Sequence, residues 1–516
     1  MLQIQNVTLI HRRDNRTLIE GLSFVLRPGD RIAVIGEEGN GKSTLLKWLY
    51  DPALTQPYIA ATGERIVRDE TLGYLPQELP PAQRAASVYE FFCAEEAFYA
   101  QTPRNLGRLA SSLGLAADFF YREQQMGTLS GGEKIKAQLA RLLMGNPTVL
   151  LLDEPSNDLD LDTLSWLETF LVGLKASVLF VSHDETLLER VATGVVHLEQ
   201  LRHKARCRAT VARVPYAVYA QQRAENMENE RRLALNGRRE EAARQEKLMR
   251  IRQKVERDQQ TISRRDPHGG YLLKKKMKAV TSQERRFARE AQERVQMPEA
   301  EEHIGFAMEG QRIAAGKAAI DFHLDCLQAP DGRPLAQNIS LFLRGGEKVC
   351  IIGRNGCGKT TLLRAVKKAL FAREDLAAAY MPQDYTELLD SEKTPVAFLL
   401  ENLRPEDAVN IRTRLGSLKY TAEEMEHPVR ELSGGQKAKL LLLKLSLSGA
   451  NVLLLDEPTR NFSPLSGPVI RRTLAAFPGA VLAVSHDRKL LLEVFDRLYR
   501  LTPDGLLQVT PCDFNA

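Results

Sequence analysis

The chain carries the same ordered set of short motifs twice. A glycine loop that ends in Lys and Ser or Thr occupies 36–43 and again 353–360. In each half it is followed by Leu-Ser-Gly-Gly, by an apolar run that ends in Asp-Glu-Pro, and by Ser-His-Asp. The later motifs repeat at a constant offset of 303 residues, pairing Ser130 with Ser433, Asp153 with Asp456, and His183 with His486. A constant offset across three motifs indicates a duplicated domain.

The length of the chain agrees with this duplication. A chain of 516 residues holds two or three domains. The glycine loops are 317 residues apart, so the second copy is 14 residues shorter between loop and Leu-Ser-Gly-Gly. We predict a first domain at 1–205, a helical linker at 206–301 and a second domain at 302–516.

Composition excludes several classes of protein. No run of about 18 apolar residues is present, so no membrane domain is expected. The N-terminus lacks a basic head followed by a long apolar stretch, which argues against a secretory signal. The six cysteines are scattered, with no Cys-x-x-Cys pair, which predicts a reducing cytoplasm and no zinc or iron–sulfur cluster.

The positive charge is concentrated between the two repeats. The whole chain has a net charge of +5, whereas 201–298 contains 26 Lys/Arg and 12 Asp/Glu, a net +14. The remainder must therefore be −9. This asymmetry predicts that an anionic partner binds the linker.

Each glycine loop has the context that a phosphate-binding loop needs. Apolar runs at 32–35 and 349–352 predict buried strands, and helices should follow from Ser43 and Thr360. Backbone N–H groups at such a helix start bind phosphates. The predicted nucleotide contacts are Gly36, Gly39, Gly41, Lys42, Ser43 and Thr44 in the first copy, and Gly353, Gly356, Gly358, Lys359, Thr360 and Thr361 in the second.

Polar residues at the ends of apolar runs complete each predicted site. Glu154 and Glu457 are candidates to polarise the attacking water, and His183 and His486 to contact the γ-phosphate. Each carboxylate alone is compatible with a solvated strand end, but the shared Leu-Leu-Leu-Asp-Glu-Pro favours a catalytic role. The predicted Mg²⁺ ligands are Ser43, Gln77 and Asp153 in the first copy, and Thr360, Gln383 and Asp456 in the second.

The Leu-Ser-Gly-Gly segments at 129–133 and 432–436 resemble the signature of ATP-binding cassette (ABC) ATPases. In that family two α/β cassettes face each other head to tail, and one phosphate loop and the opposite signature share an ATP. The resemblance implies that Ser433 and Gly435 complete the first site, and that Ser130 and Gly132 complete the second. It also implies ATP hydrolysis with Mg²⁺ at two composite sites.

Two departures from the family pattern stand out. The loop after the second Asp-Glu-Pro has Ser463 where the family has aspartate, which predicts unequal hydrolysis at the two sites. The segment before each phosphate loop lacks the aromatic residue that usually stacks on adenine. His11 or Arg12 is a candidate in the first half, and strict preference for ATP over GTP stays open.

The linker is predicted to form two antiparallel helices in a coiled coil. A proline-free charged stretch runs from about 216 to 265, roughly 70 Å as a helix, with Leu248, Val255 and Ile262 at heptad spacing. A turn is expected at 266–270 and a second helix from about Lys274 to Val295.

The predicted tip of this linker, at 264–278, is strongly basic. Its expected RNA contacts are Arg264, Arg265, Tyr271, Leu272, Lys274, Lys275, Lys276 and Lys278. A solvated coiled coil is the alternative, but the one-signed charge favours binding to an RNA phosphate backbone.

Two cassettes joined by a long charged helical linker resemble the ABC-F translation factors over essentially the whole chain. The resemblance implies a monomer with intramolecular cassette pairing that binds the ribosomal E site, its linker directed at P-site tRNA and the peptidyl-transferase centre. The 53 residues from Gln77 to Ser130 leave no room for a large arm in the first cassette, and no C-terminal RNA-binding extension is expected. This compact form and the divergent loop after Glu457 resemble the antibiotic-resistance branch more than the housekeeping members, which tune elongation or rescue stalled ribosomes. A transporter ATPase is less favoured, because it has no use for a basic arm, and no DNA partner is expected.

Overall fold

The structure is a computed structural model that describes residues 2–201, 206–261, 267–292, 308, 312–314, 316–401 and 404–510. The chain forms two compact units. One unit, Met1–Ala217 with Glu301–Ala516, contains both cassettes, and the other, Val218–Ala300, is helical.

The first cassette is an α/β layer with a smaller antiparallel sheet beside it. Its elements are β1 (Leu2–His11), β2 (Thr17–Leu26), β3 (Arg31–Ile35), α1 (Lys42–Tyr50), β4 (Ile59–Val67), β5 (Leu72–Leu75), α2 (Pro81–Ala85), α3 (Val88–Cys93), α4 (Glu96–Tyr99), α5 (Pro103–Ser112), α6 (Gly131–Met144), β6 (Val149–Asp153), α7 (Leu161–Gly173), β7 (Ser177–Val181), α8 (Glu185–Val191), β8 (Gly194–Leu201) and β9 (Arg206–Ala212). The main sheet has the strand order β5-β6-β7-β3-β8-β9, with β9 antiparallel to β8 and the other neighbours parallel. The small sheet has the order β2-β1-β4.

The helical unit is built from α9 (Tyr216–Thr261) and α10 (Pro267–Gln292). The predicted start of the first helix at 216 is confirmed. Leu248 and Val255 are buried, as their heptad spacing predicts, and Ile262 lies outside the described residues. Pairing of the two helices as an antiparallel coiled coil stays a prediction.

Two boundaries of the linker differ from expectation. The predicted turn at 266–270 is wrong over 267–270, because α10 already begins at Pro267. Proline is well tolerated at a first helical position, where its missing N–H would have no partner. The segment 206–212, assigned to the linker, forms β9 and extends the first cassette's sheet.

The second cassette repeats the first. Its elements are β10 (Ala318–Gln328), β11 (Pro334–Arg344), β12 (Lys348–Ile352), α11 (Lys359–Phe371), β13 (Ala378–Met381), α12 (Pro395–Leu400), α13 (Ala408–Ser417), α14 (Ala422–Glu426), α15 (Gly434–Leu447), β14 (Val452–Asp456), α16 (Gly467–Ala475), β15 (Ala480–Val484), α17 (Arg488–Val494), β16 (Arg497–Thr502) and β17 (Gly505–Val509). The main sheet, β13-β14-β15-β12-β16-β17, has the same order of equivalent strands, and β10 pairs with β11. The predicted α/β fold class with two P-loop domains is confirmed.

The strands that carry the motifs are covered on both faces. All five residues of β6, β7, β14 and β15 are buried, which explains their near-continuous apolar sequences. Parallel strands place their carboxyl ends at one edge of a sheet, so the phosphate loop, the Asp-Glu pair and the histidine of each cassette meet there.

Candidate nucleotide-binding sites

Both phosphate loops adopt the predicted strand–loop–helix geometry. Gly36 and Gly353 follow the central strands with φ of 145° and 155°, and Gly41 and Gly358 precede α1 and α11 with φ of 87° and 103°. A Cβ on Gly36 would lie 2.2 Å from a backbone carbonyl oxygen, so no larger residue fits there.

The two loop lysines make equivalent contacts. Lys42 donates from Nζ to the carbonyl oxygens of Gly36 (2.8 Å) and Glu37 (3.0 Å). Lys359 donates to those of Gly353 (2.8 Å) and Arg354 (3.0 Å). The two loops therefore have the same backbone fold around the lysine. Differences between the two sites must come from residues other than these lysines.

The signature serines begin helices that face the opposite cassette. Ser130 and Ser433 are the N-caps of α6 and α15, and each accepts a hydrogen bond from the backbone N–H three residues on. Glu38 of the first loop accepts a hydrogen bond from the Gly435 N–H. In the other direction, Asn355 donates to the Asp158 carbonyl of the first cassette. A phosphate loop thus contacts the opposite signature at the first site, whereas at the second site it contacts Asp158, in the loop that follows the first Asp-Glu-Pro.

In the first site the predicted catalytic groups bond to one another. Ser43 Oγ donates to Asp153 Oδ1 at 2.9 Å, and Gln77 Nε2 donates to Glu154 Oε2 at 3.1 Å. His183 Nε2 lies 3.2 Å from Glu154 Oε1. Burial raises the pKa of Glu154, but its ion pair and hydrogen bond with His183 outweigh this and lower the pKa to about 2.

In the second site the equivalent side chains make fewer hydrogen bonds with one another. Asp456 interacts with the Thr360 hydroxyl, but both of its carboxylate oxygens are buried outside normal hydrogen-bond geometry. The His486 backbone N–H donates to Glu457 Oε2 at 3.3 Å, and His486 Nε2 lies 3.7 Å from Glu457 Oε1. Burial, together with the charge of Asp456, raises the pKa of Glu457 to about 8. Burial and the charge of Lys359 lower the pKa of His486 to about 3.

A cavity of about 760 Å³ opens onto the second site. That volume lies within the usual range for small-molecule sites. From the predicted second set it is lined by Gly356, Gly358, Lys359, Thr360, Thr361, Gln383, Asp456, Glu457 and His486, and Gln77 and His183 of the first set also reach it. A buried carboxylate with spare acceptor oxygens beside a threonine hydroxyl suits a Mg²⁺ ion with bound waters, so the residues fit Mg–ATP.

The signature of the first cassette is only partly brought to this cavity. Gly131 lines it, but Ser130 and Gly132 line a separate cavity of about 270 Å³ together with Lys136 and Thr163. The prediction that Ser130 and Gly132 share the second nucleotide therefore remains a prediction.

The catalytic glutamates have unusual backbone angles. Glu154 and Glu457 have φ of 51° and 50°, in the left-handed region that side chains other than glycine rarely adopt. Such angles persist where the surrounding fold imposes them, and they cluster at functional sites.

The loop that contains Ser463 differs structurally from its counterpart. Asp160 caps α7 by accepting a hydrogen bond from the Thr163 N–H at 3.0 Å. Ser463, at the equivalent position, makes no such bond; its hydroxyl is buried without a partner among the described residues, and α16 begins only at Gly467. The Phe462 carbonyl of this loop lies 2.5 Å from His183 Nδ1, so the altered loop faces the first site.

Sequence reasoning missed one pair of arginines. Arg16 donates from Nη2 to the Gly39 carbonyl at 2.6 Å, and Arg333 lines the large cavity. They are 317 residues apart, the same offset as the two phosphate loops, and this repetition was a usable signal. The two residues predicted to stack on adenine make other contacts. His11 pairs with Asp14, and Arg12 donates a hydrogen bond to the Ile59 carbonyl.

The predicted RNA-contacting residues are exposed where the structure describes them. Tyr271 and Leu272 are 65% and 45% exposed. Lys274, Lys275, Lys276 and Lys278 are also exposed, whereas Arg264 and Arg265 lie outside the described residues.

Comparison with known proteins identifies the family to which the two cassettes belong. Residues 19–157 and 336–460 match the family model described as ABC transporter, and together they hold both phosphate loops, signatures and Asp-Glu pairs. The chain belongs to the ABC ATPase family. This confirms the resemblance drawn from the two signatures, and with it ATP hydrolysis as the activity.

Individual relatives match along nearly the whole chain. The ATP-binding protein Uup of Escherichia coli K12 is 30% identical, over 92% of this chain and 76% of its own length. ABC transporter F family member 2 of Arabidopsis thaliana is 24% identical, over 95% of this chain and 75% of its own length. These relatives confirm the ABC-F resemblance.

Among solved structures, an archaeal ribosome recycling factor in complex with a ribosomal stalk protein aligns with a TM-score of 0.58 and 17% identity, over 98% of this chain and 90% of that one. At that identity the match shows a shared tandem-cassette fold. Of the helices that the structure describes, none is long and apolar enough to cross a membrane.

Proposed function

We propose that this ABC-F ATPase is a cytoplasmic, ribosome-binding protein that acts at the E site while Mg–ATP joins its cassettes, with its helical unit directed toward P-site tRNA and the peptidyl-transferase centre. The observation that carries the proposal is the row of exposed lysines on α10, next to exposed Tyr271. Clustered cations with an aromatic side chain suit a structured RNA.

The proposal draws support from proteins of similar sequence and fold. One relative is an F-family ABC protein, and one structural neighbour is a ribosome recycling factor. A basic helical insertion between two cassettes can bind the phosphate backbone of ribosomal RNA. A transporter ATPase instead needs surfaces that bind its membrane partners.

Each residue at the second composite site has a proposed role in hydrolysis. Lys359 and the N-terminus of α11 bind the β- and γ-phosphates, and Thr360, Gln383 and Asp456 hold Mg²⁺. Glu457 orients and deprotonates the attacking water, and His486 hydrogen-bonds the γ-phosphate. The same roles fall to Lys42, Ser43, Gln77, Asp153, Glu154 and His183 at the first site.

Ribosome co-sedimentation tests the central claim. The Glu154→Gln/Glu457→Gln variant keeps the nucleotide-binding residues and removes both candidate bases, so it should hold ATP without hydrolysing it. We expect it to pellet with ribosomes in ATP and not in ADP, and ATP-independent behaviour would contradict the proposal. A variant that also carries Lys42→Ala and Lys359→Ala is the matched control, because it lacks the phosphate contacts.

Within this function we favour protection of the ribosome from antibiotics bound near the peptidyl-transferase centre. Exposed Tyr271 and Leu272, at the start of α10, provide an apolar contact that a purely phosphate-binding rod does not need. The alternative is a housekeeping factor that regulates elongation or rescues stalled ribosomes. Expression in a drug-sensitive strain distinguishes them: resistance to lincosamides, pleuromutilins or streptogramins supports protection, and unchanged sensitivity supports the housekeeping role.

A further inference from the structure

We propose that Glu37 and Glu38 replace a phosphate at the first composite site, so that ATP must displace them and binds there more weakly than at the second site. Nucleotide binding at these two sites does not require the ribosome, so the purified protein alone is sufficient for the test.

The two carboxylates occupy the anion-binding groups of the opposite signature. Gly435 donates its backbone N–H to Glu38 Oε2, and Lys439 Nζ lies 2.5 Å from Glu37 Oε1. Gly435 is in the first turn of α15, where free N–H groups and the helix dipole favour a negative charge. Lys439 is only 6% exposed, so its pairing with Glu37 is shielded from solvent.

The second phosphate loop has different residues at the same two positions. Arg354 and Asn355 replace the glutamates, and Asn355 donates to the Asp158 carbonyl rather than accepting from the signature. Lys136, equivalent to Lys439 by the 303-residue offset, lies 4.7 Å from the centre of the Trp166 ring. The carboxylate–signature contact therefore belongs to one of the two sites.

The space around the two loops differs accordingly. The cavity that Glu37, Glu38 and Asn40 line with Ser433 and Gly435 has a volume of about 40 Å³, room for only a few water molecules. The cavity at Lys359, which extends to Gln77 and His183 of the first set, has about 760 Å³. A γ-phosphate at the first site would need Glu38 to leave Gly435, and it would then lie near two carboxylates of like charge.

The catalytic groups show the same difference. Asp153 accepts hydrogen bonds from Ser43 Oγ and Tyr74 Oη, whereas its equivalent, Asp456, interacts with the Thr360 hydroxyl outside normal hydrogen-bond geometry. The aspartate of the second site is thus less fully hydrogen-bonded than that of the first, which leaves it acceptor capacity for a bound ion. This observation supports the proposal independently of the glutamates.

Equilibrium binding of radiolabelled ATP with Mg²⁺ to the Glu154→Gln/Glu457→Gln variant of the whole 516-residue chain tests the proposal. We expect two sites whose dissociation constants differ by about tenfold or more. Adding Lys42→Ala should remove the weaker site, and adding Lys359→Ala the tighter one. Two sites of equal affinity would overturn the proposal.

Exchange of residues between the two loops provides the decisive variants. Glu37→Arg/Glu38→Asn gives the first loop the residues of the second, and it should strengthen the weaker site by about tenfold. The mirror variant, Asn355→Glu, should weaken the tighter site. If the first exchange leaves the weaker affinity unchanged while circular dichroism shows an intact fold, the glutamates do not control the site.

Discussion

Arg471 of the second cassette and Glu185 of the first form a buried ion pair, with Nη1 2.7 Å from Oε1, although 286 residues separate them in sequence. A second pair joins Arg488 to Glu168, both side chains 4% exposed. The 303-residue offset relates Glu168 to Arg471 and Glu185 to Arg488. The two pairs are therefore copies of one contact, in which the first cassette supplies both acids and the second both bases.

This arrangement favours pairing of unlike cassettes. Two first cassettes would bring four buried glutamates together, partly offset by the exposed Arg190 that pairs with Glu168. Two second cassettes would bring four buried arginines together, partly offset by the exposed Glu493 that pairs with Arg471. Buried like charges are strongly unfavourable, so the pattern discriminates against both. Gly467 leaves room for the Glu185 carboxylate, because a Cβ at this position would lie 1.9 Å from Glu185 Oε1.

Charge-reversal variants should show whether these ion pairs determine how the two cassettes pair. Arg471→Glu/Arg488→Glu buries four carboxylates and should cost about 3–5 kcal/mol or more in the free energy of unfolding. The fourfold exchange that also makes Glu168→Arg/Glu185→Arg should recover much of this loss. Urea unfolding followed by circular dichroism measures both, and equal losses in the two variants would contradict a pairing role.

Hydrolysis should be unequal at the two sites. The loop with Ser463 faces the first site, where Glu38 also holds the signature, so most turnover should occur at Glu457. Glu457→Gln should then remove most of the steady-state phosphate release, and Glu154→Gln clearly less. Equal losses in the two variants would exclude this asymmetry.

Arg333 should contribute to nucleotide affinity. Its side chain lines the large cavity, where a guanidinium can stack on a base or pair with a phosphate. Arg333→Ala should raise the dissociation constant for ATP by about 3- to 30-fold, from the usual strength of a cation–π contact. Arg12→Ala is the matched control, because Arg12 donates to the Ile59 carbonyl and should leave the affinity unchanged.

The lysines of α10 should determine the salt dependence of RNA binding. Replacing Lys274, Lys275, Lys276 and Lys278 with Ala should weaken ribosome binding. The slope of log affinity against log salt should also become shallower, by about one for each RNA phosphate that a lysine no longer neutralises. Replacement of Arg104 and Arg108, exposed on α5, is the control. An unchanged slope would place the RNA-binding surface elsewhere.

Tyr271 and Leu272 on α10 should be needed for protection from the drug but not for ATP hydrolysis. Tyr271→Ala/Leu272→Ala removes two exposed side chains of the helical unit. Drug protection in growing cells should be lost while ATP hydrolysis by the purified protein is unchanged. Intact protection would remove this pair from the mechanism.

The motif residues were predictable because their geometry is local. A strand, a glycine loop and a helix bring Lys42 to the phosphate position within about ten residues, and the duplication repeats this at Lys359. The turn expected at 266–270 was mispredicted over 267–270 because Pro and Gly were interpreted as breakers, although Pro also begins helices. Arg16 and Arg333 were missed even though the loop offset relates them.

The paired cassettes, the two phosphate loops and the charge of the linker all follow from the sequence, because each depends on short motifs or on composition. The contact of Glu38 with Gly435 and the pairing of Glu185 with Arg471 do not. Their partners lie hundreds of residues apart and belong to surfaces that meet only when the two cassettes pack. Ser463 already marks the two sites as unequal, but no local pattern specifies which acid meets which N–H or guanidinium, so these contacts were decided by packing in the folded chain.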